Sequence, residues 1–371
     1  MKKIITAIGL MTGTSCDGID ISIIKSDGED YFKSVVDDFY PFKQNTRQEI
    51  KDLKEKIQNF SDLSKNQLQI KNLERKITML HVSCINETIS KFKISKKEID
   101  VIGFHGQTIF HSFKEKKSIQ LGNGDLLSNL TKLKVVYNFR KKDIDSGGQG
   151  APLTTIFHRL IQKKNNIKPP VVFVNIGGIS NISYLGKNKE IKSFDSGPGN
   201  CLIDKFLQIK TKNEIQFDEN GDIAFRGKVD EIILENYFND PFFEINPPKS
   251  LDVNDFSLGQ VRGLSLENAV STLSEFTARS IVDSFNFLSE KPLRIILMGG
   301  GRKNKYFFER IKTLSKIKTE NIEILDFNGD FVESRAFGYL AIRRLYNLPI
   351  SYPSTTGVSK PMIGGSLIEV K

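Results

Sequence analysis

The chain is poor in cysteine and has no long apolar run. Its three cysteines in 371 residues, Cys16, Cys84 and Cys201, show no paired spacing, which excludes a disulfide framework and a cysteine-based zinc site. His105 and His111 have no cysteine or third histidine spaced to complete a metal centre. No apolar run approaches the roughly 20 residues of a membrane span. The short basic start leads through a brief apolar segment into a Gly/Thr/Asp loop, so no secretory signal is expected there. A cytoplasmic location without a membrane partner is the expectation these absences leave.

The net charge of +10 invites a nucleic-acid reading. The lysines argue against it. They are scattered, lie in polar stretches such as Lys163-Lys164-Asn165-Asn166, or mix with acids, as in Lys96-Lys97-Glu98 and Lys114-Glu115-Lys116-Lys117. Mixed signs without aromatic interleaving read as a solvated surface, so no nucleic-acid partner is expected. With 39% hydrophobic and 26% charged residues the composition is that of a globular protein, long enough for two domains.

What is present is a recurring unit of apolar strand and glycine turn. Ile4–Leu10 runs into Met11-Thr12-Gly13-Thr14-Ser15-Cys16-Asp17-Gly18-Ile19-Asp20, and alternation resumes at Ile21-Ser22-Ile23. This predicts a strand–turn–strand hairpin. Gly13 and Gly18 allow close backbone approach, Thr14 and Ser15 bring hydroxyls, and successive N–H groups can form an anion nest. Asp17 and Asp20 fit a phosphate only with a cation between. An ordinary hairpin turn uses the same residues, so both readings stand. After the Lys163–Pro170 linker, Val171–Ile176 and Gly177-Gly178-Ile179-Ser180-Asn181-Ile182 repeat the plan, suggesting two related lobes. A third strand, Arg294–Met298, meets Gly299-Gly300-Gly301, either a nucleotide-facing backbone or a strand-to-helix turn.

Between these loops lie the other candidates. Asp195, ahead of Ser196-Gly197-Pro198-Gly199-Asn200, is a general-base candidate or an Asx-turn or cap residue for a helix starting near Asn200. His105 stands at a strand end, in Phe104-His105-Gly106-Gln107-Thr108, where α/β proteins place ligands; His111 reads as surface. Arg140 could grip an anionic substrate group or pair with Asp143. Helical spacing predicts one or two amphipathic helices within 45–92, and others near 266–288 and 333–345.

Taken in order, Gly9–Asp20, Phe104–Thr108, Gly147-Gly148-Gln149-Gly150-Ala151-Pro152-Leu153, Asn175–Asn181 and Asp195–Asn200, with Gly299–Gly301, resemble the anhydro-N-acetylmuramic acid kinase family over essentially the whole chain. The resemblance implies an α/β, two-lobed actin/hexokinase-like (RNase H-like) fold with its active site in the interlobe cleft. It implies lobes at 1–165 and 166–371. It further implies ATP and Mg²⁺ as cofactors, and a sugar substrate whose 1,6-anhydro ring is opened and whose O6 is phosphorylated in peptidoglycan recycling. Asp195 would be the base, Gly13–Asp20 and Gly177–Gly178 the phosphate loops, and Gly299–Gly301 the adenosine loop. His105, Arg140 and Glu333 would face the sugar, and a homodimer is suggested. A kinase for a related sugar with a free hydroxyl, or an actin-like assembly protein, are the alternatives. Asn123, Asn138 and Asp145-Ser146 depart from the family's usual residues, which puts contacts around 123–146 in doubt.

Overall fold

The computed structural model describes residues 2–13, 15–112, 115–253 and 255–370, so Thr14 lies outside it. In chain order the strands are β1 (Ile5–Thr12), β2 (Gly18–Ser26), β3 (Phe32–Pro41), β4 (Val101–Ser112), β5 (Lys117–Leu121) and β6 (Lys134–Tyr137). They continue with β7 (Val171–Ile176), β8 (Ile179–Leu185), β9 (Ile191–Pro198), β10 (Arg294–Met298), β11 (Lys318–Asn321) and β12 (Ser366–Ile368).

Two sheets result, and their strand orders match. In the first, β3-β2-β1-β4-β6 run side by side, with β12 beyond β6 and β5 folded back onto β4. In the second the order is β9-β8-β7-β10-β11. Each begins with an antiparallel meander (β1–β2–β3, β7–β8–β9) and continues from its first strand into parallel strands (β4 and β6, β10 and β11). The repeated strand–turn–strand pattern is therefore a repeated sheet topology. Central strands are apolar on both faces because helices cover them: all of β1 is buried, as is β10 from Ile295 on.

The chain forms two compact units, residues 1–166 with 331–371, and residues 167–330. This corrects the expected second lobe of 166–371, because the segment from 331 onward belongs to the first unit. The physical reason is local. The helix Val332–Leu345 packs on β1 and β4 where Gly9 and Gly103 lie in register. A Cβ on Gly9 would sit 1.8 Å from the Ser334 carbonyl, and one on Gly103 2.1 Å from that of Phe337. Only glycine permits so close an approach of helix to sheet. The Ser22 and Ser334 hydroxyls meet at 2.7 Å, Arg335 pairs with Asp37, and β12 adds antiparallel to β6.

In the first unit, Ile8, Leu10, Ile21, Ile102, Phe104 and Val135 form the core, with a smaller cluster of Ile50, Leu53, Ile77 and Phe110. The helices Gln44–Lys56, Phe60–Lys65 and Gln67–Lys91 supply its cover. The second of these is set off by Asn59, whose side chain accepts from the Ser61 N–H and completes a capping box with Asp62. In the second unit, Val174, Phe194, Phe276, Leu297 and Phe307 lie at the core centre. There the helix Leu266–Asp283 is buried along most of its length.

Candidate active site

The first turn, between β1 and β2, is held from beneath. Gln107 is fully buried and its Nε2 donates to the Gly13 carbonyl (3.1 Å), while the Thr12 hydroxyl donates to the Gly106 carbonyl (2.7 Å). Ser15 is exposed and its hydroxyl donates to Asp17 (2.7 Å). Cys16 is buried at a left-handed φ of 56°, and burial pushes its thiol above the ordinary value. Gly18 has a different reason from the one the sequence offered. A Cβ there would meet the Tyr40 carbonyl at 2.4 Å and the Phe39 ring at 2.6 Å, so it is glycine for packing on β3; one on Gly13 would meet only the Ser15 hydroxyl, at an ordinary 3.5 Å. Ile19 is buried, whereas Asp17 is exposed and Asp20 half-buried.

In the same unit the structure brings His105, Arg140 and Glu333 together. Arg140 donates from Nε to His105 Nε2 (3.2 Å) and from Nη1 to the Gly150 carbonyl (2.8 Å). Because arginine only donates, His105 Nε2 accepts, and Nδ1–H donates to the Gly106 carbonyl (2.8 Å). Burial, with the neighbouring Arg140 charge, takes His105 down to about 3, so the imidazole is neutral. Its ring also lies against that of Phe337, 4.5 Å away and tilted by 42°, one turn beyond Glu333 on the same helix. Burial pushes the Glu333 carboxyl up, and the Arg140 charge opposes the shift. Asp143 accepts from the Gly150 N–H (2.6 Å) and the Thr356 hydroxyl (2.5 Å), so Arg140 and Asp143 clasp Gly150 from its two sides. His111, read as surface, is drawn into this corner: its ring lies 3.5 Å from where a Gly150 Cβ would sit, and burial lowers it to about 3.

In the second unit, the Gly177–Gly178 turn between β7 and β8 is anchored by the segment after Pro198. The Gly177 carbonyl accepts from the Asn200 N–H (2.8 Å) and Nδ2 (3.0 Å), and the Gly178 carbonyl from the Gly199 N–H (2.9 Å). Asp195 is buried in β9 opposite Asn181, at a register shift between Ser180 and Asn181. Its N–H donates to the Lys249 carbonyl (3.0 Å), and its Oδ2 accepts from the Leu251 N–H (2.8 Å). Lying within a strand, it does not cap the helix Cys201–Lys210, whose N-cap is Asn200. Around it the Ser180 and Ser196 hydroxyls pair at 2.7 Å, and Thr277 donates to the Gly199 carbonyl (3.0 Å).

The Gly299–Gly301 turn follows β10 beside the end of β7. Gly299 has φ 74° and would carry a Cβ 2.5 Å from Asn175 Oδ1, and a Cβ on Gly301 would lie 2.3 Å from Ile176 Cγ2. Gly300 alone is exposed with nothing within 4 Å. Buried Arg302 fixes the turn through Glu323 (2.7 Å), Asp330 (2.9 Å) and the Gly299 carbonyl (2.9 Å).

Sequence reasoning missed Gln107, Lys249 and Leu251 as supports of the site. Gln107 was visible as an amide in an apolar strand; Leu251 acts through its backbone N–H and left no signal. The departures from the family pattern also find their places. Asn123 caps the helix Gly124–Thr131 by accepting from the Leu126 N–H (2.8 Å), a role asparagine and aspartate fill equally. Asn138 takes a left-handed φ of 53°, and Asp145 pairs with Lys141 at an exposed position.

Two mixed sheets of matching order, β3-β2-β1-β4-β6 and β9-β8-β7-β10-β11, each with a glycine turn after its first strand and the second with buried Asp195 on its third, form a two-lobed actin/hexokinase-like fold. The anhydro-N-acetylmuramic acid kinase family profile matches residues 5–369, and the chain belongs to that family. The kinase of that name from Pelagibacter ubique (strain HTCC1062) is 46% identical over 379 residues, covering all of both chains. Its counterpart from Rhizobium etli is 38% identical over 369 residues, covering 99% of each. Among solved structures, the chain is similar to the activator of 2-hydroxyisocaproyl-CoA dehydratase from Clostridium difficile (TM-score 0.46, 10% identity, 92% of this chain and 96% of that one). It is also similar to a ROK family glucokinase from Streptomyces griseus (TM-score 0.40, 10% identity, 91% and 99%).

Proposed function

We propose that this chain opens 1,6-anhydro-N-acetylmuramic acid with water and phosphorylates its O6 from ATP, with Asp195 as the general base. The observation that carries the reading is the buried Asp195 carboxylate, oriented by a backbone N–H, in a chain matched end to end by the kinase family. The anhydro sugar has no free O6 hydroxyl. Asp195 therefore takes a proton from water, the water oxygen bonds to C1, and the C1–O6 bond breaks. O6 then takes the γ-phosphoryl group as the bond to ADP breaks. The products are N-acetylmuramic acid 6-phosphate and ADP.

The remaining residues bind and orient. The Gly13–Asp20, Gly177–Gly178 and Gly299–Gly301 backbones receive the nucleotide, and Arg140, held by neutral His105, meets the sugar side with Glu333. Mg²⁺ fits the oxygen chemistry of Asp17 and Asp20, since it keeps several waters and asks for only one or two carboxylates beside the phosphates. When bound it would neutralise phosphate charge. Among the described residues no helix is long and apolar enough to cross a membrane. A homodimer belongs to the proposal only through the family likeness.

A coupled assay of ADP release tests the reading. Release should require both the anhydro sugar and Mg²⁺, and Asp195→Asn should abolish turnover while ATP still binds. Near-normal turnover by that variant would sink the base assignment; equal rates on sugars with a free O6 hydroxyl would sink the substrate.

A further inference from the structure

We propose that Lys249 is a positioning residue whose buried ammonium, clamped between Phe242 and Phe287, pins the backbone segment that holds the Asp195 carboxylate. The proposal rests on Asp195 being the base. β9 is an edge strand of its sheet, and at Asp195 that edge is covered by residues 249–251, which have no regular secondary structure. One three-residue segment holds Asp195 at two points: the Lys249 carbonyl accepts its N–H at 3.0 Å, and the Leu251 N–H donates to its Oδ2 at 2.8 Å. A segment outside helix and sheet needs a side-chain anchor to hold such a donor in place.

Lys249 has the form of that anchor. It is 4% exposed, and its Nζ donates to the Phe242 carbonyl at 2.9 Å. The same nitrogen lies 4.4 Å from the centroid of the Phe242 ring and 4.3 Å from that of Phe287, a double cation–π contact. Phe287 in turn packs edge-on against Phe194, the residue before Asp195, at 6.0 Å. The anchor thus touches the catalytic strand from the side as well as through its own backbone.

Stability does not explain the charge. Taking an ammonium out of water is unfavourable, and an apolar side chain would fill the space without that penalty. Burial already draws the Lys249 amine down to about 8, a sign that the fold bears the cost. What the ammonium adds over a methylene chain is direction: it fixes the chain against one carbonyl and two ring faces.

The test compares Lys249→Met, Lys249→Arg and Phe287→Leu with wild type in kcat, KM for ATP and for the anhydro sugar, melting temperature and the pH profile of kcat/KM. Lys249→Met should melt no lower than wild type, keep both KM values, and lose about 10- to 100-fold in kcat as the base drifts. Its acid limb should move to higher pH, because a carboxylate deprived of an N–H donor ionises less readily. Lys249→Arg should restore most of the rate. Phe287→Leu should show a smaller displacement of the same limb. A folded Lys249→Met with wild-type kcat and an unmoved acid limb overturns the proposal. Should that variant fail to fold, an unmoved limb in Phe287→Leu does so. Asp195→Asn separates the two readings: if it is inactive while Lys249→Met is fully active, only the strap falls; if it is active, the base assignment falls and the strap with it.

Discussion

The three consecutive glycines at 299–301 are glycine for different reasons, and substitution separates them. Gly299 needs its positive φ, Gly301 needs room for Ile176, and only Gly300 is exposed with open space around it. Gly301→Ala should lower unfolding free energy by about 1–3 kcal/mol, the usual range for an overpacked core contact. Gly300→Ala should leave the melting temperature within experimental scatter and raise the KM for ATP. Urea denaturation and steady-state kinetics on the two variants check this. Equal stability losses would show that the turn is one packed structural element without a ligand face. The same logic applies to Gly18, whose neighbours are Tyr40 and Phe39, so motif membership alone does not make a residue a ligand contact.

At the scale of elements, the helix Val332–Leu345 decides the shape of the corner formed by His105, Arg140 and Glu333. It presents Glu333 and Phe337 one turn apart, and Phe337 packs at a tilt against His105, which holds Arg140. Gly103→Ala should push this helix off the sheet, since the new Cβ would fall 2.1 Å from the Phe337 carbonyl. The expected result is a loss of about 1–3 kcal/mol in urea unfolding, with the KM for the sugar rising more than that for ATP. Retained stability would mean that the helix is free to slide. Both leading hairpins, β4 through His105 and the helix itself were legible in the sequence, because alternation, helical spacing and glycine turns are local signals. The return of residues 331–371 to the first unit was not. It depends on Gly9 and Gly103 meeting a backbone more than 200 residues away, and no local pattern encodes that. The supports of Asp195 were hidden for a related reason: they are a carbonyl and an N–H, which every residue possesses. His111 misled because a polar residue late in a strand reads as solvent-facing until the Gly150 loop is seen beside it.

At the scale of the molecule, the histidines divide the chain. All four lie in residues 1–166, and none lies in 167–330. Burial takes His81 down to about 4, and His105, His111 and His158 to about 3, with the Arg140 charge adding to the effect on His105 and His111. In the unfolded chain each titrates near 6.5. Between about pH 6.5 and 3 the unfolded state binds more protons, so the stability they contribute is fully present above 6.5 and is lost as pH falls. Glu333, with its raised carboxyl, works the other way in the same unit, one group against four. Lowered carboxylates lie in both units; in the first they are Asp27, held by backbone N–H groups, and Asp38 and Asp62, held by Lys91 and Lys65, and they give way only below the histidine range. In the second, Glu275, Glu320, Glu323 and Asp330 are lowered by their arginine and lysine partners against burial, which raises them, so their contribution is lost only below the ordinary carboxylate range. Asp218 and Asp283, raised by burial, offset part of even that loss. Acidification from pH 7 to 5 should therefore loosen the first unit before the second. Hydrogen exchange, corrected for the intrinsic pH dependence of the rate, should show protection falling in peptides from 1–166 and 331–371 while those from 167–330 keep theirs. Replacing buried His158 by phenylalanine should shift the onset to lower pH by removing one of the four protonations. If both units lose protection together, or the second goes first, histidine burial does not govern the acid response.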